Sequence, residues 1–208
     1  IMRERDPNAV MIAVEKYGLP RCLHIPIAAR DIASIERFIG NVMPIFHQDS
    51  AMRAVQVAVD APEEMDERLI VWDMANASLL HRTPQVWVHV DYRGYRQAYQ
   101  KVHPDEDVSH LVLDHVLNRR VARLTGFPYV RLVPITRAAN SSSGGLSEKM
   151  ELDFQSWPST VAWHAAHPRS IQYADVGALA KMLDLTVGNS LHENVNEFQR
   201  RLREQRRG

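Results

Sequence analysis

Short runs of β-branched and aromatic residues, separated by turn residues and helix-like stretches, constrain the fold of this chain more than any other feature. Valine alternates with other residues over 55–59, and residues 86–90 form a second run. Further apolar runs lie at 111–113 and 129–135. Runs of this length and composition are typical of strands, whereas the stretches between them have helical spacing. We therefore expect an α+β fold with a small antiparallel sheet.

The bulk composition excludes several classes of protein. The chain has 208 residues, enough for one well-filled core, and its Lys plus Arg equal its Asp plus Glu at 25 each. No net charge attracts nucleic acid over long range, so a nucleic-acid surface must come from local charge segregation. The lone Cys22 excludes an internal disulfide, and no apolar run approaches the roughly 20 residues that span a bilayer. We expect a cytoplasmic protein without membrane association.

Two helices are predicted in the first 40 residues. Asp6 is a candidate N-cap, apolar residues cluster over 10–14, and Gly18 follows as a stop signal. Asp31 is the candidate N-cap of a second helix, whose apolar residues over 32–39 fall on one face. Both helices look like scaffold.

Amphipathic spacing returns at the C-terminal end. It predicts helices over 173–185 and 191–207, after an irregular stretch over 157–168. We therefore expect one α+β domain over 1–168, with N-terminal helices, and a helical extension over 169–208. That extension offers surfaces for a second copy of the chain or for a protein partner.

Residues 108–155 hold the densest set of chemically useful side chains. The pair Asp114-His115 follows an apolar run, and Asn140 begins a serine- and glycine-rich turn that precedes a helix predicted from Leu146. Imidazole has an ordinary pKa near neutrality, which suits His115 as a base. On an extended backbone Asp114 points to the opposite side, where its carboxylate and the Asn140 amide oxygen suit a hard cation.

These residues, with strands expected on either side of 118–125, resemble the HNH, or His-Me finger, nucleases over about 40 of the 208 residues. In that family an Asp-His pair ends one strand of a hairpin, and an asparagine precedes the helix that closes the metal site. The resemblance implies a ββα-metal core, in which 111–115 and 129–135 pair antiparallel and the helix from Leu146 packs across them.

The resemblance also implies an activity. His115 matches the general base, and Asp114 and Asn140 match ligands of one divalent ion, with Mg²⁺ favoured and Mn²⁺, Ni²⁺ or Zn²⁺ as alternatives. The implied substrate is nucleic acid, with DNA favoured over RNA. No histidine follows Asn140 at helical distance, so Glu148, the nearest carboxylate on the predicted helix, is the candidate for the last ligand.

Arginines surround this passage. Residues 114–137 contain one acid and five arginines: Arg119, Arg120, Arg123, Arg131 and Arg137. Guanidinium groups offer forked donors to phosphate, so Arg119, Arg120, Arg123 and Arg137 are candidate phosphate-binding residues. The three arginines over 119–123 have helical spacing, which also suits an exposed face paired with the acids of 105–107.

Two functions of different classes stay open. The first is a divalent-metal endonuclease in which His115 activates water, and for which cleavage should rise with pH in the range of about 5.5 to 8, near the ordinary imidazole pKa. The second is a non-catalytic module that binds nucleic acid or protein and in which the Asp-His pair is structural. Salt-dependent binding without metal or cleavage would favour the second.

Overall fold

The computed structural model describes most of the middle of the chain and short segments near its ends. The described residues are 4, 6, 12–13, 22–23, 25–59, 84–143, 152–174, 178 and 181–182. Near the N-terminus, strands β1 (Ile12–Ala13) and β2 (Cys22–Leu23) pair antiparallel. The helix predicted between Asp6 and Gly18 is therefore wrong at Ile12 and Ala13, because their backbones pair with a second strand.

Seven further strands form one antiparallel sheet within the described part of the chain, so the fold is α+β. The strands are β3 (Pro26–Ala29), β4 (Gly40–Pro44), β5 (Ala54–Val59), β6 (Gln85–His89), β7 (Val112–His115), β8 (Tyr129–Ile135) and β9 (Ile171–Tyr173). Their order is β4-β5-β6-β8-β3-β9, and β7 pairs with β8. This sheet is larger than the small sheet that the sequence predicts.

Strand β8 lies at the centre and pairs with three strands. Leu132 pairs with Val86 of β6 and also with His115 of β7. Because one residue pairs with two strands only across its two edges, β6 and β7 lie on opposite edges of β8. Strand β3 pairs with β8 through Val130, which also pairs with β6. Thus β3 and β7 follow each other along the same edge of β8.

The described helices are short. They are α1 (Ile32–Phe38), α2 (Tyr95–Val102), α3 (Arg119–Thr125), α4 (Arg137–Ser143) and α5 (Pro158–Ala166), and residues 152–155 are also helical. The predicted cap of α1 is confirmed, because the Asp31 carboxylate accepts the backbone N–H of Ser34 at 2.7 Å. No helix in the described ranges is long and apolar enough to cross a membrane.

Two expectations for the C-terminal part need correction. The stretch predicted as irregular contains α5, which starts with Pro158 at a position where a missing N–H costs nothing. Strand β9 pairs with β3, so Tyr173, the first residue of the helix predicted over 173–185, lies in a strand, whereas residues 178 and 181–182 of that prediction are helical. Most of the predicted helices over 173–185 and 191–207 lie outside the described residues.

Three clusters of buried apolar side chains hold helices against the sheet. A cluster between α2 and the sheet, the α2-side cluster, includes Val86, Val88, Ala98, Tyr99, Leu113 and Leu132. A cluster involving α3 and α4, the α3-side cluster, includes Val116, Val121, Ala122, Phe127, Val133, Ile135, Ala139 and Met182. A third cluster packs α1 and includes Ile35, Val55, Val57, Trp87 and Ile171. Burial of these side chains supplies most of the driving force for the fold.

Candidate functional site

The predicted strands around the Asp-His pair are confirmed. Strand β7 pairs antiparallel with β8, with Asp114 opposite Val133 and His115 opposite Leu132. Strand β8 leads after one residue into α4, and α4 packs against β7. The predicted helix from Leu146 lies mostly outside the described residues, so its place in a ββα core stays a prediction.

Asp114 and His115 point to opposite faces of the sheet. Directly paired residues of an antiparallel ladder share a face. His115 therefore lies on the side of Leu132 and the α2-side cluster, whereas Asp114 lies on the side of Val133 and the α3-side cluster. The side chains alternate in direction as predicted for an extended backbone. Asp114 and His115 therefore lie among different neighbours.

His115 is mostly buried beside α2. Its ring meets the ring of Tyr95 edge-on at 4.9 Å between centroids, and its Nε2 atom is buried without a hydrogen-bond partner in the described structure. Burial, followed by the positive charges of Arg119 and Lys181, lowers the pKa of His115 from 6.5 to about 4. At neutral pH the ring is therefore an uncharged imidazole, the form that accepts a proton.

Asp114 forms a buried ion pair. Its Oδ2 atom lies 2.8 Å from Nζ of Lys181, and the two side chains are only 13% and 7% exposed. The lysine lies at a helical position near the C-terminal end of the described residues. A cation already neutralises the carboxylate that the resemblance assigns to a metal ion.

Asn140 occupies α4, not a turn. Its backbone N–H donates to the Thr136 carbonyl at 3.1 Å, and the Thr136 hydroxyl accepts the N–H of Ala139 at 3.1 Å. The expected turn over 140–145 is therefore wrong through Ser143, because Thr136 caps a helix whose Ala139 is buried in the α3-side cluster. The burial of Ala139 with Val133 places α4 on the face of the sheet that carries Asp114.

The expected metal ligands fit an ion only in part. Glu148, the third candidate, lies outside the described residues. Within the described ranges, no group of three or more His, Cys, Asp or Glu side chains is arranged to hold a metal ion. At Asp114 a divalent ion would have to replace the ammonium of Lys181, so the side chains fit such an ion only after Lys181 has moved.

The four candidate phosphate-binding arginines divide into two kinds. Arg119, Arg120 and Arg137 are exposed. Arg123 is also exposed, but its guanidinium donates to Asp91 at 2.6 Å and to the carbonyl of Val90 at 3.3 Å. The alternative in which these arginines pair with acids is thus correct for Arg123, although the acid is Asp91 and not one of 105–107.

Helix α3 carries three of these arginines, Arg119, Arg120 and Arg123, and both of its ends are capped. Asn118 accepts the backbone N–H of Arg120 at 2.8 Å, and Gly126 ends the helix with φ +80. The fifth arginine of the passage, Arg131, has only 1% of its surface exposed and lies in β8 opposite Trp87. Arg131 belongs to the interior of the protein and does not extend the arginine surface.

Sequence reasoning missed two residues that define the surroundings of the Asp-His pair. Lys181 is 67 positions from Asp114 in the chain, and nothing in its local sequence indicates burial. Tyr95 lies at the start of α2. The sequence shows which face of this helix is apolar, but it does not show what that face packs against. Only the fold brings the charge of Lys181 and the ring of Tyr95 close to the Asp-His pair.

Comparison with protein-family models found no match, and neither curated proteins nor solved structures gave one. The function of this chain must therefore be inferred from its own residues and geometry.

Proposed function

We propose that this chain hydrolyses phosphodiester bonds in nucleic acid, with His115 as the general base. The observation that carries the proposal is the uncharged, mostly buried imidazole of His115 at the end of β7, in a strand–strand–helix order in which α4 carries Asn140. The resemblance to the HNH nucleases predicts the antiparallel pairing of β7 and β8, although Asn140 lies inside α4 and not before the closing helix. Arg119 and Arg120 lie exposed on the helix that follows His115.

The proposed reaction assigns one task to each group. Because Nε2 of His115 is buried, Nδ1 is the nitrogen that would take a proton from the attacking water. The water oxygen forms a bond to phosphorus as the ester oxygen leaves, and the leaving oxygen takes a proton from solvent. Arg119 and Arg120 would hold the phosphate through their forked donors.

Metal dependence remains part of the proposal. Asp114 and Asn140 would hold the divalent ion, Mg²⁺ first, on the face of the sheet opposite His115. The ion would therefore supply positive charge only to a phosphate that reaches around the end of β7. Since the ammonium of Lys181 lies at the Asp114 carboxylate, we expect metal and lysine to compete for it. None of the steps assigned above to His115 and the arginines passes through the ion.

A cleavage assay with a matched histidine control tests the proposal. His115→Ala should abolish cleavage of plasmid DNA and of single-stranded DNA and RNA, whereas His110→Ala, at an exposed position five residues earlier, should keep the wild-type rate. With the pKa of His115 at about 4, the rate should rise through that pH and be flat between about 5.5 and 8. Equal rates for both variants would refute the role of His115.

The pH profile corrects the expectation from sequence, which places the rise near neutrality. Burial and two nearby cations shift the rise in cleavage rate to lower pH, because they disfavour the charged imidazolium form of His115.

Metal competition has its own readout, independent of cleavage. Lys181→Met removes the ammonium and keeps an unbranched side chain, so it should bind Mn²⁺ at least about tenfold more tightly than the wild type in titrations followed by electron paramagnetic resonance. The double variant with Asp114→Asn should lose that gain. Equal Mn²⁺ affinity for all three proteins would remove Asp114 from the list of ligands, and circular dichroism would verify that each variant is folded.

A non-catalytic nucleic-acid-binding module is the second candidate. The buried ion pair between Asp114 and Lys181 favours it, since a carboxylate already matched by lysine fits a structural role. A weakly basic imidazole also makes a slower catalyst than one with a pKa near the working pH. Salt-sensitive binding with no cleavage in Mg²⁺, Mn²⁺, Ni²⁺ or Zn²⁺ would establish this second function in place of the first.

A further inference from the structure

Exposed aromatic side chains cluster on α5 and on the helical residues just before it. Phe154, Trp157 and Trp163 are 51%, 56% and 50% exposed, and together with His167 they form a surface that we call the aromatic face. Helix α5 has no buried residue. Large exposed rings grouped in this way usually mark a binding surface.

The rings of the aromatic face are arranged in pairs. Trp163 and His167 stack with 4.8 Å between centroids and 22° between planes, whereas Phe154 and Trp157 meet edge-on at 5.3 Å. A pocket of about 320 Å³ opens between the two pairs, lined by Phe154, Gln155, Ser159, Thr160, Trp163 and His164. A flat ring that enters this pocket would contact Trp163 and Phe154.

The exposed Asp153 borders the aromatic face next to Phe154, but the residues that follow carry no acid. Residues 154–171 contain no Asp or Glu but include two histidines and Arg169. Helix α5 packs against α3, which also lacks acids and carries the exposed Arg119 and Arg120. Aromatic rings beside the exposed Arg119 and Arg120 complement a ligand that has both flat rings and negative charge.

We propose that the aromatic face stacks the bases of single-stranded nucleic acid while the arginines of α3 contact its phosphates. Every base presents a flat ring to an aromatic side chain once it is unpaired, whereas duplex bases are already stacked on each other. The inference depends on the proposed function, whose substrate it narrows to unpaired strands.

Binding to strands with and without bases tests the inference. The probes are an oligothymidylate of about 15 nucleotides, within the usual site size, an abasic strand with the same number of phosphates, and a duplex of equal length, each followed by fluorescence anisotropy in a chelator that prevents cleavage. The wild type should bind oligothymidylate at least about fivefold more tightly than the abasic strand or the duplex, the gain expected from stacking one base.

Three variants at α5 and its N-cap separate stacking from general effects. Trp163→Ala should lose the preference for oligothymidylate over the abasic strand, and Trp157→Ala should reduce it. Val161→Ala, also exposed on α5, should keep it. Circular dichroism should show no change, because the substituted side chains are at the surface.

Several outcomes would overturn the inference. Equal binding of oligothymidylate and abasic strand by the wild type would mean that bases are not recognised. A change from dimer to monomer in Trp163→Ala by light scattering, with unchanged binding of strands, would show that the aromatic face joins two copies of the chain. The proposed function is tested separately, because loss of base preference leaves cleavage by His115 intact, and failure of cleavage leaves base preference intact.

Discussion

His115 lies in surroundings that keep its ring uncharged. Its ring contacts Tyr95 of α2, and the cationic side chains of Arg119 and Lys181 act on it. A buried imidazolium loses hydration and is repelled by like charges, so both effects favour the neutral ring. The same surroundings that make His115 available as a base also make the folded protein sensitive to acid.

The stability of the protein should therefore fall as the pH falls from 7 to 4. The pKa of His115 is about 4 in the folded protein, whereas the ordinary imidazole value of 6.5 applies in the unfolded chain. Below pH 6.5 the unfolded chain takes up a proton that the folded chain does not, so the free energy of unfolding decreases by about 3 kcal/mol by pH 4. Urea denaturation at both pH values should show this loss in the wild type beyond that of His115→Asn.

The control for this experiment is His110→Asn. Since His110 is exposed, the variant should keep the wild-type dependence on pH. If His115→Asn and the wild type lose the same stability between pH 7 and pH 4, the imidazole of His115 is not desolvated in the folded state.

At the scale of elements, local sequence determines α3 from both ends. Asn118 caps its first turn, and Gly126 adopts a left-handed conformation with φ +80 after its last residue. A Cβ atom at Gly126 would meet no heavy atom within 4 Å. Substitution there therefore costs backbone strain and no steric clash.

Gly126→Ala should lower the free energy of unfolding by about 1 to 2 kcal/mol, because alanine is strained at positive φ. Gly126→Asn should lose less, since asparagine tolerates this conformation better. Thermal or urea unfolding of both variants measures the difference. Equal stability of Gly126→Ala and the wild type would mean that the helix ends in another conformation in solution.

The strands and helices that the sequence predicts correctly are those whose signals are local. Alternating or continuous β-branched residues predict β5, β6 and β8, and Asp31 predicts the start of α1. Residues 140–145 are expected from sequence to form a turn because asparagine, serine and glycine favour turns, but burial of Ala139 and capping by Thr136 extend α4 through Ser143. Helix α5 is not predicted from sequence because Pro168 and the mixed composition argue against a helix, but α5 begins at Pro158 and ends at Ala166, before that proline.

At the scale of the whole molecule, the order of the strands could not be predicted. Strands β3 and β7 share one edge of β8 although more than 80 residues separate them in the chain. The sequence identifies Asp114 and His115 as a candidate pair, but their different surroundings follow from this order. Lys181 reaches Asp114 for the same reason, since a contact between distant residues has no local signal.

The charges of the whole molecule sum to zero, yet they are segregated. Helix α3 carries three arginines and no acid, and the adjoining stretch over 154–171 has no acid either. Long-range attraction of nucleic acid is weak for such a molecule, so binding must depend on individual contacts with phosphate. The contribution of each arginine should then be visible in the dependence of binding on salt.

Three arginine variants of α3 should differ in this dependence. For a single strand, each phosphate contact adds about 0.7 to the slope of the logarithm of the binding constant against the logarithm of salt concentration. Arg119→Gln and Arg120→Gln should each reduce the slope by about that amount, because both side chains are exposed on the helix that follows His115. Arg123→Gln should leave the slope unchanged, since its guanidinium is bound to Asp91.

Anisotropy titrations of oligothymidylate at several salt concentrations give the three slopes. An equal decrease in all three variants would indicate a general effect of charge and no specific contacts. No decrease in any variant would move the phosphate site away from α3, and the proposals for the substrate would have to rely on the aromatic face alone. A decrease confined to Arg119 and Arg120 would instead place phosphate beside His115, whose pKa responds to the charge of Arg119.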